Sequence, residues 1–185
     1  MYQVLIVDDE LLICKGIKSM IQRMNHPALG DTFVAFNGTE AERIALELRP
    51  DIILTDIRMP DINGLDLIKR LLKSLPETRF IIISGFDEFQ YAREAMKLGV
   101  VDYLLKPAAY EELRDVLTKV IVFLEIQTKS KRKHSIETEN YRRAILENDL
   151  NGLLSSGDMN TFYSVKNHNE LVKKFPQDLF SIAVI

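Results

Sequence analysis

Apolar residues along this chain fall into two alternating rhythms. Short runs rich in β-branched residues, Val4 to Val7, Phe33 to Phe36, Ile52 to Thr55, Phe80 to Ser84 and Asp102 to Leu105, read as strands. Between them Leu11 to Met24, Thr39 to Leu48, Gly64 to Ser74 and Glu88 to Leu98 carry apolar residues at helical spacing, and a fifth helix begins near Tyr110. Runs that are apolar throughout, such as Val4-Leu5-Ile6-Val7 and Phe80-Ile81-Ile82-Ile83, suit central strands covered on both faces, as the strands of parallel sheets are. The repeated βα unit predicts an α/β fold with a doubly wound parallel sheet and helices on both faces.

Beyond residue 110 the rhythm changes. Leu113, Val116, Leu117, Val120, Ile121 and Leu124 form a helical stripe that continues past the end of a compact α/β domain. Gln127, Lys131 and His134 then stand where a coiled-coil seam needs apolar residues, so any dimeric coiled coil is short or interrupted. Tyr141, Ile145, Leu146, Leu150, Leu153 and Leu154 resume the stripe, and Ser155-Ser156-Gly157 ends it. A helix around Asn169 to Lys174 and a strand-like run from Leu179 to Ile185 follow. The pattern divides the chain into a domain over 1–122, a helical linker over 123–150 and the start of a second domain over 151–185. That last segment is too short to bury a core of its own, and we read it as truncated.

Composition narrows the class. With 185 residues, 46% hydrophobic and 28% charged, the chain has the make-up of a globular protein, which excludes disordered and fibrous classes. A net charge of -3 is too mild for a surface devoted to nucleic acid. The basic run Lys129 to Lys133 lacks interleaved aromatics and fits a solvated helix face better than a phosphate contact. Cys14 is the single cysteine, so no internal disulfide can form, and its neighbours Leu11-Leu12-Ile13 place it at a buried helical position in a reducing compartment. No basic stretch precedes an apolar one at the start, and no apolar segment approaches the roughly 18 residues that cross a bilayer. A cytoplasmic protein without membrane attachment is expected.

The ends of the strand-like runs carry the candidate chemistry. The first enters Asp8-Asp9-Glu10, the third Asp56, the fourth Ser84 and the fifth Lys106-Pro107, while the second ends in Asn37-Gly38, read as a plain turn. Open α/β sheets place ligands outside the carboxyl ends of their strands, so these residues share one rim. Crowded carboxylates there call for a cation, and an oxygen-only donor set without a His or Cys cluster suits Mg²⁺. Asp56 can act as a nucleophile toward phosphorus, Lys106 can neutralise phosphoryl oxygens, and the Ser84 hydroxyl can bond one of them. Plainer readings exist for each: Asp8, Asp9 and especially Glu10 could cap the helix at Leu11, Asp56 could sit in a turn, Ser84 could be an ordinary strand-end hydroxyl, and Tyr103 could only pack.

Taken in order, Val4-Leu5-Ile6-Val7-Asp8-Asp9-Glu10, Asp56 with Met59-Pro60 and Gly64, Ser84-Gly85, and Tyr103-Leu104-Leu105-Lys106-Pro107 resemble the receiver domains of bacterial two-component response regulators, over about residues 1–122. The resemblance implies a five-stranded flavodoxin-like sheet of order 2-1-3-4-5. It also implies that Asp56 is phosphorylated by a sensor histidine kinase, that Asp8, Asp9, Asp56 and the backbone carbonyl of Arg58 hold Mg²⁺, that Ser84 and Tyr103 form a switch pair, and that the Lys106–Pro107 bond is cis. Gly85 departs from the alanine often found there, which would leave the phosphoryl site more open to water. The stretch Ser84 to Phe89 with Tyr91-Ala92 and Glu94-Ala95, together with the long linker, is similar to receivers of AraC-type transcription regulators. DNA would then be bound only through a C-terminal domain beyond residue 185, since no helix-turn-helix lies within the chain, and a homodimer could form through the receiver or the linker helix. Two other classes compete: an interaction module that takes no phosphate, and a phosphatase using Asp56, which the presence of Arg58 where such enzymes commonly carry a second acid disfavours. On this reading the protein is a switch that catalyses only its own phosphorylation and dephosphorylation.

Overall fold

Strands β1 (Tyr2–Val7), β2 (Leu29–Ala35), β3 (Ile52–Thr55), β4 (Arg79–Ser84) and β5 (Asp102–Leu105) pair in parallel in the order β2-β1-β3-β4-β5. They alternate with helices α1 (Leu11–Met24), α2 (Gly38–Leu48), α3 (Gly64–Ser74), α4 (Phe89–Lys97) and α5 (Tyr110–Ser156). The structure, a computed structural model, describes residues 1–85 and 89–156, apart from the side chains of 89, 134 and 146–156. The expected helix over 169–174 and strand over 179–185 lie outside the described residues. The fold is the doubly wound flavodoxin-like one.

Side chains alternate across each strand, so the apolar runs feed two cores at once. Val4, Ile6, Leu54, Ile81 and Ile83 face α1 and the first turns of α5, where Ile17, Leu113, Leu117 and Val120 meet them. Leu5, Val7, Ile53, Phe80 and Ile82 face the opposite layer, packing with Ala41, Leu67, Ile68 and Ala95. The runs Val4 to Val7, Ile52 to Leu54 and Phe80 to Ile83 are thus apolar at every position because both faces are covered. Fully burying one such Leu or Ile contributes roughly 1.5–3 kcal/mol, so these two layers fix the sheet against which the rim is built.

Two local features differ from the sequence reading. β2 begins at Leu29 rather than Phe33, because Leu29 pairs with Tyr2 and is buried although Gly30, Asp31 and Thr32 after it look loop-like. Polar residues are tolerated there because β2 is the edge strand. Asn37 is not part of a plain turn: its side chain accepts a hydrogen bond from the Glu40 N–H and caps α2, while the Glu40 carboxylate accepts from the Phe36 N–H. This is the reciprocal arrangement of a capping box, shifted by one residue on the return bond.

Helix α5 is continuous from Tyr110 to Ser156. The chain divides between Gln127 and Thr128 into two units. Within the first, Arg79 at the start of β4 holds the helix by stacking its guanidinium on Phe123, 4.7 Å from the ring centre, and by donating to Gln127 Oε1 at 3.0 Å. No described helix is long and apolar enough to cross a membrane.

Candidate functional site

Each principal site residue directly follows a strand, and its backbone extends the sheet's hydrogen bonding by one step. Asp8 N–H donates to Ala35 O, Asp56 N–H to Val7 O, and Lys106 N–H to Ser84 O, at 3.1, 2.9 and 2.9 Å. Neighbouring strands thereby hold the residues in register before any side chain makes contact. The Lys106–Pro107 peptide is cis.

The side chains converge. Lys106 Nζ lies 2.6 Å from Asp56 Oδ2 and 2.7 Å from Asp8 Oδ2, with Glu10 Oε1 farther off at 3.8 Å. Asp56 Oδ1 accepts a 2.6 Å hydrogen bond from the Ile57 N–H. Asp8, Asp9 and Asp56 each offer a carboxylate oxygen within 4.8 Å of the others. Asp8 and Asp56 are buried whereas Asp9 is exposed, so the cluster opens to solvent on the Asp9 side.

Electrostatics explain why this arrangement suits a cation. Burial raises the Asp8 pKa above the usual carboxylate value, an effect only partly offset by Lys106 and by the Glu10 N–H. For Lys106 burial pulls the other way, yet the hydrogen bond to Asp56 and the close pairing with Asp8 outweigh it and carry the ammonium above its ordinary value. One positive charge therefore serves two buried carboxylates and a third nearby. Asp8 Oδ2 touches Lys106 as an ion pair but lacks a well-aligned hydrogen-bond donor. Attraction is present, and a buried lone pair is left over. A hard divalent cation with oxygen ligands fits that leftover capacity and the donor set of Asp8, Asp9 and Asp56.

Several neighbouring residues have the places expected of them, and some do not. Glu10 stands at the cap position of α1 but forms no side-chain cap bond; Asp8 Oδ1 accepts from the Glu10 N–H at 3.0 Å instead. Cys14 is buried as expected, donates its thiol to Asp8 O at 3.4 Å, and has its pKa pushed up to about 11, by burial first and then by the Asp8 carboxylate. Ser84 is fully buried at the end of β4, and Tyr103, half-buried in β5, pairs in register with Ile82 and packs on the second core layer. The Arg58 side chain leans over Tyr91, 6.0 Å from the ring centre, beside a groove of about 310 Å³ that Lys69 and Glu94 also line. Lys69 bridges Asp66 and Glu94 at 2.9 and 2.7 Å, but these groups are close to half exposed, so the pairs contribute little to stability.

Asp61 escapes the sequence reading, as does the close packing of Gly38 and Gly64, which it names only in a turn and in a motif. The two oxygens of Asp61 accept from the N–H groups of Gly38 and Thr39, both at 2.8 Å, across the start of α2. The Thr39 hydroxyl and then the Ile62 and Thr39 N–H groups hold this carboxyl far below the usual range. A Cβ on Gly64 would run into the Asp56 carbonyl, and one on Gly38 into the Ile62 backbone. No local pattern signals Asp61, whose partners at the start of α2 lie 22 and 23 residues away.

Comparison with known proteins agrees with this geometry. The response regulator receiver domain family matches residues 4–118. The uncharacterized transcriptional regulatory protein YesN of Bacillus subtilis is 37% identical over 160 residues, 84% of this chain and 43% of that protein. The transcriptional regulatory protein HptR of Staphylococcus aureus is 34% identical over 133 residues, 71% of this chain and 52% of that protein. The chain thus spans about half the length of these relatives. Among solved structures, the REC domain of AraT, a response regulator from Geobacillus stearothermophilus, is 41% identical, with a TM-score of 0.63 over 69% of this chain and 98% of that one. Sheet order, rim and matched span agree, and the chain belongs to the response-regulator receiver family of two-component systems.

Proposed function

We propose that Asp56 accepts a phosphoryl group from the phosphohistidine of a sensor histidine kinase, and that the resulting change of shape controls a transcriptional output carried beyond residue 185. The observation that supports this most directly is the Lys106 ammonium held between Asp56 and Asp8, beside a carboxylate cluster that fits a divalent cation. An Asp56 oxygen attacks phosphorus, the P–N bond breaks, and its electron pair returns to the imidazole nitrogen, which takes up a proton. Lys106, already at the Asp56 carboxylate, then pairs with a phosphoryl oxygen. Mg²⁺, held by Asp8, Asp9, Asp56 and the Arg58 carbonyl, would neutralise the remaining phosphoryl charge.

Ser84 and Tyr103 make the switch on this reading. The Ser84 hydroxyl turns toward the new phosphoryl oxygens, and Tyr103 in the adjacent strand follows the space this vacates. Residues 1–122 form the receiver, 123–150 the linker helix, and 151–185 begin a further domain. The partners are a histidine kinase, a second copy through the receiver or linker helix, and DNA only through a C-terminal domain. A cytoplasmic setting goes with this reading, and the protein turns over no separate substrate.

Incubation with acetyl phosphate and Mg²⁺ tests the proposal. Intact-mass measurement should show one added phosphoryl group on the wild type and none on Asp56→Asn. Turnover of an added phosphoester would favour a phosphatase, and a wild type that gains no mass would favour an interaction module.

A further inference from the structure

The loop that joins β3 to α3 carries Arg58, whose carbonyl the proposed function offers to the cation. Its ends are pinned: Ile57 N–H donates to Asp56 Oδ1 at 2.6 Å, and Gly64 N–H donates to Ile57 O at 2.9 Å. In its middle Met59 and Ile62 pack on the second core layer, and the Asp61 side chain spans the gap to α2 and takes both Gly38 and Thr39 N–H groups. Gly38 without a Cβ lets the Ile62 backbone close against the helix start, so the tether is a backbone contact as well as a carboxylate clamp. Asn37 and Asp61 thus divide the free N–H groups of the α2 terminus, which leaves Asp61 two that Asn37 does not reach. Only Met59 and Pro60 separate Asp61 from Arg58, and Pro60 has a fixed φ. Ile57 and Met59 on either side of Arg58 pack on the second core layer, and Asp61 fixes the far side of the loop, so the Arg58 carbonyl is set by both.

We propose that Asp61 is a positioning residue of the cation site: by clamping the start of α2 it holds the loop that presents the Arg58 carbonyl to Mg²⁺. It touches neither cation nor phosphoryl group and acts through the main chain. This inference rests on the Mg²⁺-dependent phosphoacceptor reading. Partners that orient metal ligands from outside the coordination shell commonly matter by roughly 10–100-fold in affinity.

The test is calorimetric titration of Mg²⁺ into the 185-residue chain, alongside its unfolding midpoint in urea. Asp61→Ala removes both acceptor oxygens and should weaken Mg²⁺ binding roughly tenfold or more. Asp61→Asn, at an exposed position and keeping one acceptor oxygen, should fold and fall between Asp61→Ala and the wild type. Asp51→Ala is the control: Asp51 Oδ2 accepts from the Gln3 N–H at 2.7 Å, at the opposite end of the sheet. It should lower stability and leave Mg²⁺ affinity unchanged. Wild-type affinity in folded Asp61 variants, or an equal loss of affinity in Asp51→Ala, overturns the role of Asp61 alone. A wild type that binds no Mg²⁺ overturns the phosphoacceptor reading and this inference with it.

Discussion

Lys106 and Asp56, fifty positions apart in the chain, stand 2.6 Å apart at the mouth of the sheet. Because the same ammonium also meets Asp8, it is the counter-charge that lets two buried carboxylates coexist. Lys106→Met removes it and leaves like charges facing each other in a poorly solvated place. The metal-free protein should lose about 1–3 kcal/mol of stability at neutral pH. Urea unfolding should show that Mg²⁺ recovers most of this loss; a deficit that Mg²⁺ leaves untouched would argue against a shared charge balance.

Asp8 makes a prediction in pH. Its folded pKa is raised above the ordinary 3.8, so folding favours the protonated form. The stability it contributes is complete below the unfolded value and is lost as pH rises through the folded one. Asp8→Asn should therefore make the metal-free protein more stable than wild type at neutral pH, with the advantage vanishing at the acidic end. Added Mg²⁺ should reverse the order, since a charged carboxylate holds a hard cation far better than a neutral amide oxygen. Unfolding midpoints of both proteins across that range, with and without Mg²⁺, check the sign; a wild type more stable than Asp8→Asn without Mg²⁺ contradicts it.

Gly64 packs where any side chain would push on the Asp56 carbonyl. Gly64→Ala must displace either α3 or the Asp56 backbone. We expect a loss of about 1–3 kcal/mol, typical of overpacking, together with slower phosphorylation by acetyl phosphate. Wild-type stability and rate in this variant would mean that the close approach is dispensable.

Gly85 is the contrasting case, because a Cβ there meets nothing within 4 Å. Gly85→Ala should change stability by no more than about 0.5 kcal/mol. The added methyl should restrict water at the phosphoryl group and lengthen the lifetime of the phosphorylated state. An unchanged lifetime discards that role for the missing methyl.

The features legible in the sequence are those whose cause is local. Val4 to Val7 and Phe80 to Ile83 announce central strands because every position is buried. Asp8, Asp56 and Lys106 are legible as a group because each directly follows a strand, and a parallel sheet brings all such ends to one rim. Leu29 to Thr32 read as loop because an edge strand need not be apolar, and only the pairing with β1 makes them a strand. Asn37 carries a local cap signal in Glu40, three residues on, that a turn reading overlooks. Asp61 carries none: its meaning arises only when the β3–α3 loop lies against α2.

Phosphorylation is assigned to one carboxylate among three that lie together. Borohydride reduces an acyl phosphate to an alcohol, so a phosphorylated aspartate becomes homoserine and can be located by peptide mass spectrometry. After exposure to acetyl phosphate and Mg²⁺, homoserine should appear at position 56 and at neither 8 nor 9. Homoserine at Asp8 or Asp9, or aspartate retained at all three positions, would contradict that assignment.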